Sequence, residues 1–142
     1  MIGVDANLAA KWIFAEEFSG RALGLLAKCI QAGERICAPP LLTVEVTNII
    51  RRRMLREGVT LPQAQRLLGQ FLAFPVTTVS PSSLHERALA LAEEYGLPAV
   101  YDAHYVALAA FLECELWTDD RRLLRALDGK LSFVKWLGDY PT

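Results

Sequence analysis

Ile2-Gly3-Val4-Asp5-Ala6-Asn7 at the start of the chain and Glu115-Leu116-Trp117-Thr118-Asp119-Asp120 near its end both run from a short apolar segment into aspartate. A short β-branched or aromatic run that stops at a polar residue is typical of a buried strand turning directly into the next element. We therefore predict strands at 2–4 and 115–118. Their aspartates then directly follow the strand ends.

Helical and strand-like patterns alternate along the rest of the chain. Three further strands are predicted, at 36–38, 76–79 and 131–136. The strand at 2–4 is followed directly by a turn into the segment 7–14. Apolar residues at helical spacing predict helices at 16–31, 40–57, 61–74, 81–95, 102–114 and 120–127, with Gly33 and Gly58 as stops. This alternation predicts an α/β fold with a mostly parallel central sheet, in which ligands bind outside the carboxyl ends of the strands.

Length and composition limit the class of protein. A chain of 142 residues, 53% hydrophobic and 22% charged, has the size and balance of one folded domain, which we place at residues 1–142. The formal net charge of −1 does not favour a polyanionic partner. Binding to nucleic acid would therefore require a local basic patch.

The cysteines and the apolar segments indicate the compartment. Cys29, Cys37 and Cys114 are odd in number and lie in apolar stretches, which favours reduced thiols. The chain begins without a basic segment leading into a long apolar run, and no stretch has the length of a membrane span. We expect a cytoplasmic protein.

Aspartates occupy three places in the sequence that one edge of the sheet can bring together. Asp5 and the pair Asp119-Asp120 follow predicted strands, and Asp102 opens a predicted helix. Aspartate is also a favoured N-cap, and for any one of these positions helix capping is the commoner explanation.

Glu45 is harder to explain by a structural role alone. Its helical neighbours Leu41, Leu42 and Ile49 are apolar, and burying a carboxylate among them costs free energy unless a partner neutralises it. No lysine or arginine lies three or four positions away, so we expect a cation from elsewhere in the fold.

Four carboxylates that meet at one edge would need a cation to remain ionised together. Mg²⁺ or Mn²⁺ suits such a cluster, because hard divalent ions prefer oxygen ligands. A metal of this kind activates water for attack on a phosphodiester and neutralises charge on the phosphate.

Four motifs in this order resemble the PIN-domain ribonucleases, and within them the VapC-like toxins of type II toxin–antitoxin pairs. The motifs are Val4-Asp5-Ala6-Asn7, Pro39-Pro40 followed by Glu45-Val46-Thr47-Asn48, Tyr101-Asp102-Ala103, and Leu116-Trp117-Thr118-Asp119-Asp120-Arg121-Arg122-Leu123. The resemblance implies a three-layer α/β/α fold and a metal-dependent endoribonuclease. It also implies RNA as substrate, a cognate antitoxin as partner, and a homodimer or higher homo-oligomer.

The resemblance also implies roles for individual residues. Asp5, Glu45, Asp102 and Asp120 correspond to the catalytic, metal-binding acids, and Asp119 could share or replace the role of Asp120. Two further residues, Thr118 and Asn7, would support the cluster from behind.

The arginines allow two interpretations. Those that end the Glu45 helix, at 51–53 and 56, complement the helix dipole, and we favour this structural role. Arg121 and Arg122 adjoin Asp120, and contact with RNA phosphates is as well supported for them as a solvated helix face.

Two other classes of protein remain as alternatives. A Mg²⁺-dependent phosphoryl-transfer protein also places an aspartate after its first strand, but the dehalogenase type has a second aspartate where Asn7 stands here. A non-catalytic module with the same fold would use its groove only to bind protein.

Overall fold

Five short strands form one sheet in the computed structural model, which describes residues 1–142. They lie in the order β3-β2-β1-β4-β5, and every neighbouring pair is parallel. The prediction of a mostly parallel sheet is confirmed, and this sheet is entirely parallel. The strands are β1 (Ile2–Val4), β2 (Ile36–Ala38), β3 (Val76–Thr78), β4 (Glu115–Thr118) and β5 (Val134–Trp136).

Seven α-helices connect the strands and flank the sheet. Parallel strands require such crossovers, and helices on both faces bury the apolar side chains of the sheet. The three-layer α/β/α arrangement implied by the resemblance is confirmed. The helices are α1 (Ala6–Ala10), α2 (Ser19–Ala32), α3 (Leu41–Glu57), α4 (Leu61–Leu72), α5 (Leu84–Glu94), α6 (Tyr101–Leu112) and α7 (Arg121–Leu127).

Several element boundaries differ from the prediction for local reasons. Helix α2 begins at Ser19 rather than at position 16, because Phe18 has a left-handed backbone (φ 64°) that a right-handed helix cannot contain. Strand β5 begins at Val134 rather than at 131, because the Val134 amide donates to the Leu131 carbonyl in a turn. Pro40 lies at the N-cap of α3 instead of in its first turn.

The core explains why β1 is apolar throughout. All three of its residues are buried, and Val4 is fully inaccessible, as expected for the middle strand of a parallel sheet.

The predicted stops Gly33 and Gly58 close α2 and α3 with φ values of 66° and 70°, a conformation that favours glycine. None of the helices is both long enough and apolar enough to cross a bilayer.

Candidate active site

The register of two neighbouring strands brings Asp5 and Thr118 together. Val4 pairs with Trp117, so the next residue on each strand lies at the same carboxyl edge of the sheet. The Thr118 hydroxyl donates a hydrogen bond to Oδ2 of Asp5 and accepts one from the Asp120 amide at 2.9 Å. Both side chains are buried. Thr118 therefore links the two acid-bearing loops.

Asp5 is a buried carboxylate with few neutralising neighbours. Its Oδ1 atom accepts a hydrogen bond from the Leu8 amide at 3.0 Å, which caps α1. Burial raises the pKa of Asp5 to about 7, and the negative charges of Asp102 and Asp120 also raise it, against the lowering effect of the bonds from Thr118 and Leu8. Asp5 therefore caps α1, as the sequence analysis allowed, and its carboxyl group also belongs to a cluster of acidic side chains.

Asp102 lies in the first turn of α6, where Val100 is the N-cap, so capping does not account for it. The pKa of Asp102 is raised to about 6, mainly by burial. The negative charges of Asp120 and Glu45 and a hydrogen bond with Asp120 raise it further. Asp102 and Asp120 are therefore direct neighbours. The structure brings all four predicted acids into one electrostatic group.

Glu45 has a hydrogen-bond partner on a neighbouring helix. The sequence predicts a cation beside this carboxylate, and the protein itself supplies the Tyr105 hydroxyl, which donates to Oε1 at 2.5 Å. Burial raises the pKa of Tyr105 far above its ordinary value, and the charge of Glu45 adds to this, so the phenol remains a donor. Tyr105 was missed by the sequence reasoning. The available signal was a tyrosine inside an apolar helix, since a buried hydroxyl needs a partner.

The structure separates the two adjacent aspartates after β4. Asp120 caps α7 through Oδ1, which accepts from the Arg122 and Leu123 amides at 3.0 and 3.1 Å. Asp119 instead accepts from the Trp136 indole at 3.0 Å and forms an ion pair with Lys11 at 3.2 Å. The carboxylate beside Asp102 is that of Asp120.

A cavity of about 480 Å³ opens over the cluster. Three of the acids line it, together with the exposed Asn7, and α3 and α6 supply its walls. Half of the lining residues are hydrophobic, among them Val44 and Tyr101, which are 65% and 57% exposed. Arg52 also reaches this cavity. The site is thus an open pocket with acids, one cation and apolar side chains.

The donor set fits a hard divalent cation, since every candidate ligand is a carboxylate oxygen. No group of three or more acidic, histidine or cysteine side chains is arranged to hold a metal at once. Mg²⁺ usually takes only one or two carboxylates and keeps several waters, so two neighbouring acids satisfy it. The raised pKa values of Asp5 and Asp102 are the expected state of such acids without a cation beside them.

A family model described as "PIN domain" matches residues 2–130, a range that holds all of these acids. The chain belongs to the PIN domain family. Relatives of this PIN domain include a VapC ribonuclease of Mycobacterium bovis and ribonuclease VapC9 of Mycobacterium tuberculosis. Each is 32% identical over 123 residues, which cover 87% of this chain and 88% of the relative. The resemblance to PIN-domain proteins of the VapC type is confirmed.

Proposed function

We propose that this PIN domain is a cytoplasmic endoribonuclease that hydrolyses RNA phosphodiester bonds with bound Mg²⁺ or Mn²⁺. The observation that carries the proposal is the group formed by Asp5, Asp102 and Asp120 at the carboxyl edge of the sheet, with two raised pKa values. Two relatives named as ribonucleases support the choice of RNA over other phosphodiesters.

Asp5 and Asp102 would hold the cation, with Asp120 and Glu45 at the margin of the site. A bound divalent ion supplies acidified water and neutralises the phosphate charge. Thr118 orients Asp5 through its hydroxyl, and Tyr105 orients Glu45 in the same way. The exposed Asn7 lines the cavity without a hydrogen bond to any acid, where it can meet substrate.

Cleavage of RNA by the purified protein tests this function directly. We expect cleavage with Mg²⁺ or Mn²⁺, its loss on chelation, and its loss in Asp102→Asn, which removes a charge without changing shape. Asp128→Asn is the matched control, since Asp128 is exposed and has a left-handed backbone that asparagine also tolerates. Full activity in Asp102→Asn would refute the mechanism.

The relatives' names also support a biological setting. Because they are VapC proteins, we propose that this chain is the toxin of a toxin–antitoxin pair, inhibited by a cognate antitoxin and assembled as a homodimer or larger homo-oligomer. Expression of the chain alone should arrest growth, and co-expression of the neighbouring reading frame should relieve the arrest. Harmless expression of a protein that cleaves RNA in vitro would contradict the toxin role alone.

A further inference from the structure

A second cavity of about 280 Å³ adjoins the acid pocket. The two cavities share Asn7, Ile49 and Arg52 in their walls, so they form one continuous groove. Among the α3 residues that line this groove, one row follows helical spacing: Glu45, Ile49, Arg52 and Arg56, at positions i, i+4, i+7 and i+11. This face covers about 16 Å of helix at 1.5 Å per residue. It changes from acidic to basic along its length.

The charged side chains of the second cavity fall into two groups. Lys11 is buried and paired with Glu16 at 3.1 Å and with Asp119 at 3.2 Å. Arg53 is paired with Glu16 and Glu57 and lies over the Phe14 ring. Both acids that line the cavity are therefore already neutralised.

Arg52 and Arg56 form the other group. Both are exposed, and neither forms an ion pair with a carboxylate, unlike their neighbour Arg53. A basic side chain can complement the helix dipole without lining a groove. This effect is also confined to the last turn of the helix. Arg52 lies outside that turn, which contains only Arg56 as a basic residue. Their positions provide the local basic patch that a chain of net charge −1 lacks overall.

We propose that Arg52 and Arg56 bind successive phosphates of a single RNA strand as it leaves the acid pocket along α3. The inference rests on the proposed ribonuclease function, and it names where the substrate lies beyond the scissile bond. Two unpaired guanidinium groups that continue a line from the acid pocket match a chain with regularly repeated negative charge. The Arg121 side chain, which the sequence favoured equally for this role, instead pairs with Glu17 and packs near Trp136.

The test compares two substitutions on α3 with a third on α4. Arg52→Gln and Arg56→Gln each remove a groove cation, and Arg66→Gln removes an equally exposed cation that lines neither cavity. Binding of a short fluorescent single-stranded RNA is measured by anisotropy at several salt concentrations in the non-cleaving Asp5→Asn background. Cleavage kinetics of the three arginine variants are measured in the otherwise unaltered protein.

Each groove substitution should reduce the slope of log affinity against log salt by about 0.7, the value for one phosphate contact on a single strand. KM for RNA should rise several-fold while kcat stays within about twofold, because the contact is present in both ground and transition states. Arg66→Gln should match the parent protein in both measurements.

Failure of this inference is distinguishable from failure of the proposed function. If the parent cleaves RNA but Arg52→Gln and Arg56→Gln keep its slope and KM, the groove assignment is wrong and the nuclease assignment stands. Equal effects of Arg66→Gln would also overturn it, as general charge loss would then explain the result. Unchanged RNA kinetics with a loss of inhibition by the neighbouring-frame protein would assign the groove to a protein partner. A parent without cleavage refutes the proposed function itself.

Discussion

At the scale of single residues, a phenol hydroxyl holds Glu45 at the margin of the acidic cluster. The Tyr105 ring is buried in the core and its oxygen lies 2.5 Å from Oε1 of Glu45. A hydroxyl fixes the direction of a carboxylate and leaves its negative charge intact. Glu45 therefore stays available to a cation in the pocket.

Removing that hydroxyl should weaken metal binding without unfolding the protein. In Tyr105→Phe the ring still fills its place, but Glu45 loses its orienting partner. Such supporting contacts typically contribute about 10–100-fold in metal affinity or activity, so cleavage should require more Mg²⁺. Metal titrations of the cleavage rate measure this. Tyr95→Phe, at a partly buried tyrosine away from the pocket, is the control, and an unchanged titration in Tyr105→Phe would assign its hydroxyl to folding alone.

The sequence could predict that Glu45 needs a partner, but could not identify it. The apolar positions around Glu45 follow from helical spacing within one segment. Tyr105 lies 60 positions further along the chain, and its proximity depends on how α6 packs beside α3. The same limit applies to Arg52 and Arg56, whose ion-pairing state depends on where Glu16 and Asp119 lie.

At the scale of secondary-structure elements, two of the acids combine capping with membership of the cluster. Asp5 caps α1 and Asp120 caps α7, as the common role of aspartate predicts. The caps point each carboxylate at the carboxyl edge of the sheet. Capping and charge are separable, since asparagine caps as well as aspartate but carries no charge.

Substitutions at Asp120 should separate the two roles. Asp120→Asn should abolish cleavage and leave the free energy of unfolding within about 1 kcal/mol of the parent, because the cap persists. Asp120→Ala should abolish cleavage and also cost about 1 kcal/mol. Urea unfolding and RNA cleavage measure the two effects.

Asp119→Asn is the matched control for these variants. It removes one of the two carboxylates paired with the buried Lys11, so it should destabilise the fold by about 1.5–3 kcal/mol. Cleavage per folded molecule should remain. The opposite pattern, with cleavage lost in Asp119→Asn and kept in Asp120→Asn, would exchange the roles assigned to the two aspartates.

The order and type of the elements were predictable, because most strands are short apolar or β-branched runs and most helices have an apolar face, while α6 is apolar on nearly all sides. The residues at which the helices and strands begin and end were less predictable. The start of α2 depends on the left-handed Phe18, and the start of β5 depends on a turn at Leu131. Such turns are set by tertiary packing as much as by local propensity, and the apolar pattern continues across them.

At the scale of the whole molecule, the acidic cluster links stability to pH. Burial is the main cause of the raised pKa of Asp5, about 7 against an ordinary 3.8, and Asp102 is raised to about 6. A carboxyl with a raised pKa binds its proton more tightly in the folded state. Its stabilising effect is complete below the unfolded pKa, and it is lost as pH rises through the folded value.

The metal-free protein should therefore lose stability as pH rises from about 4 through about 7, and Mg²⁺ should restore it. In chelator at about pH 8, Asp5→Asn should be more stable than the parent by on the order of a few kcal/mol, and the difference should shrink toward pH 5. Mg²⁺ should stabilise the parent at the higher pH, stabilise it less at the lower pH where protons compete, and have little effect on Asp5→Asn. Thermal unfolding across this grid of pH and metal measures all three. If the stability of the parent in chelator does not change between these pH values, the protein alone neutralises the acidic cluster. The cluster would then need no cation, and the basis of the proposed metal chemistry would be removed.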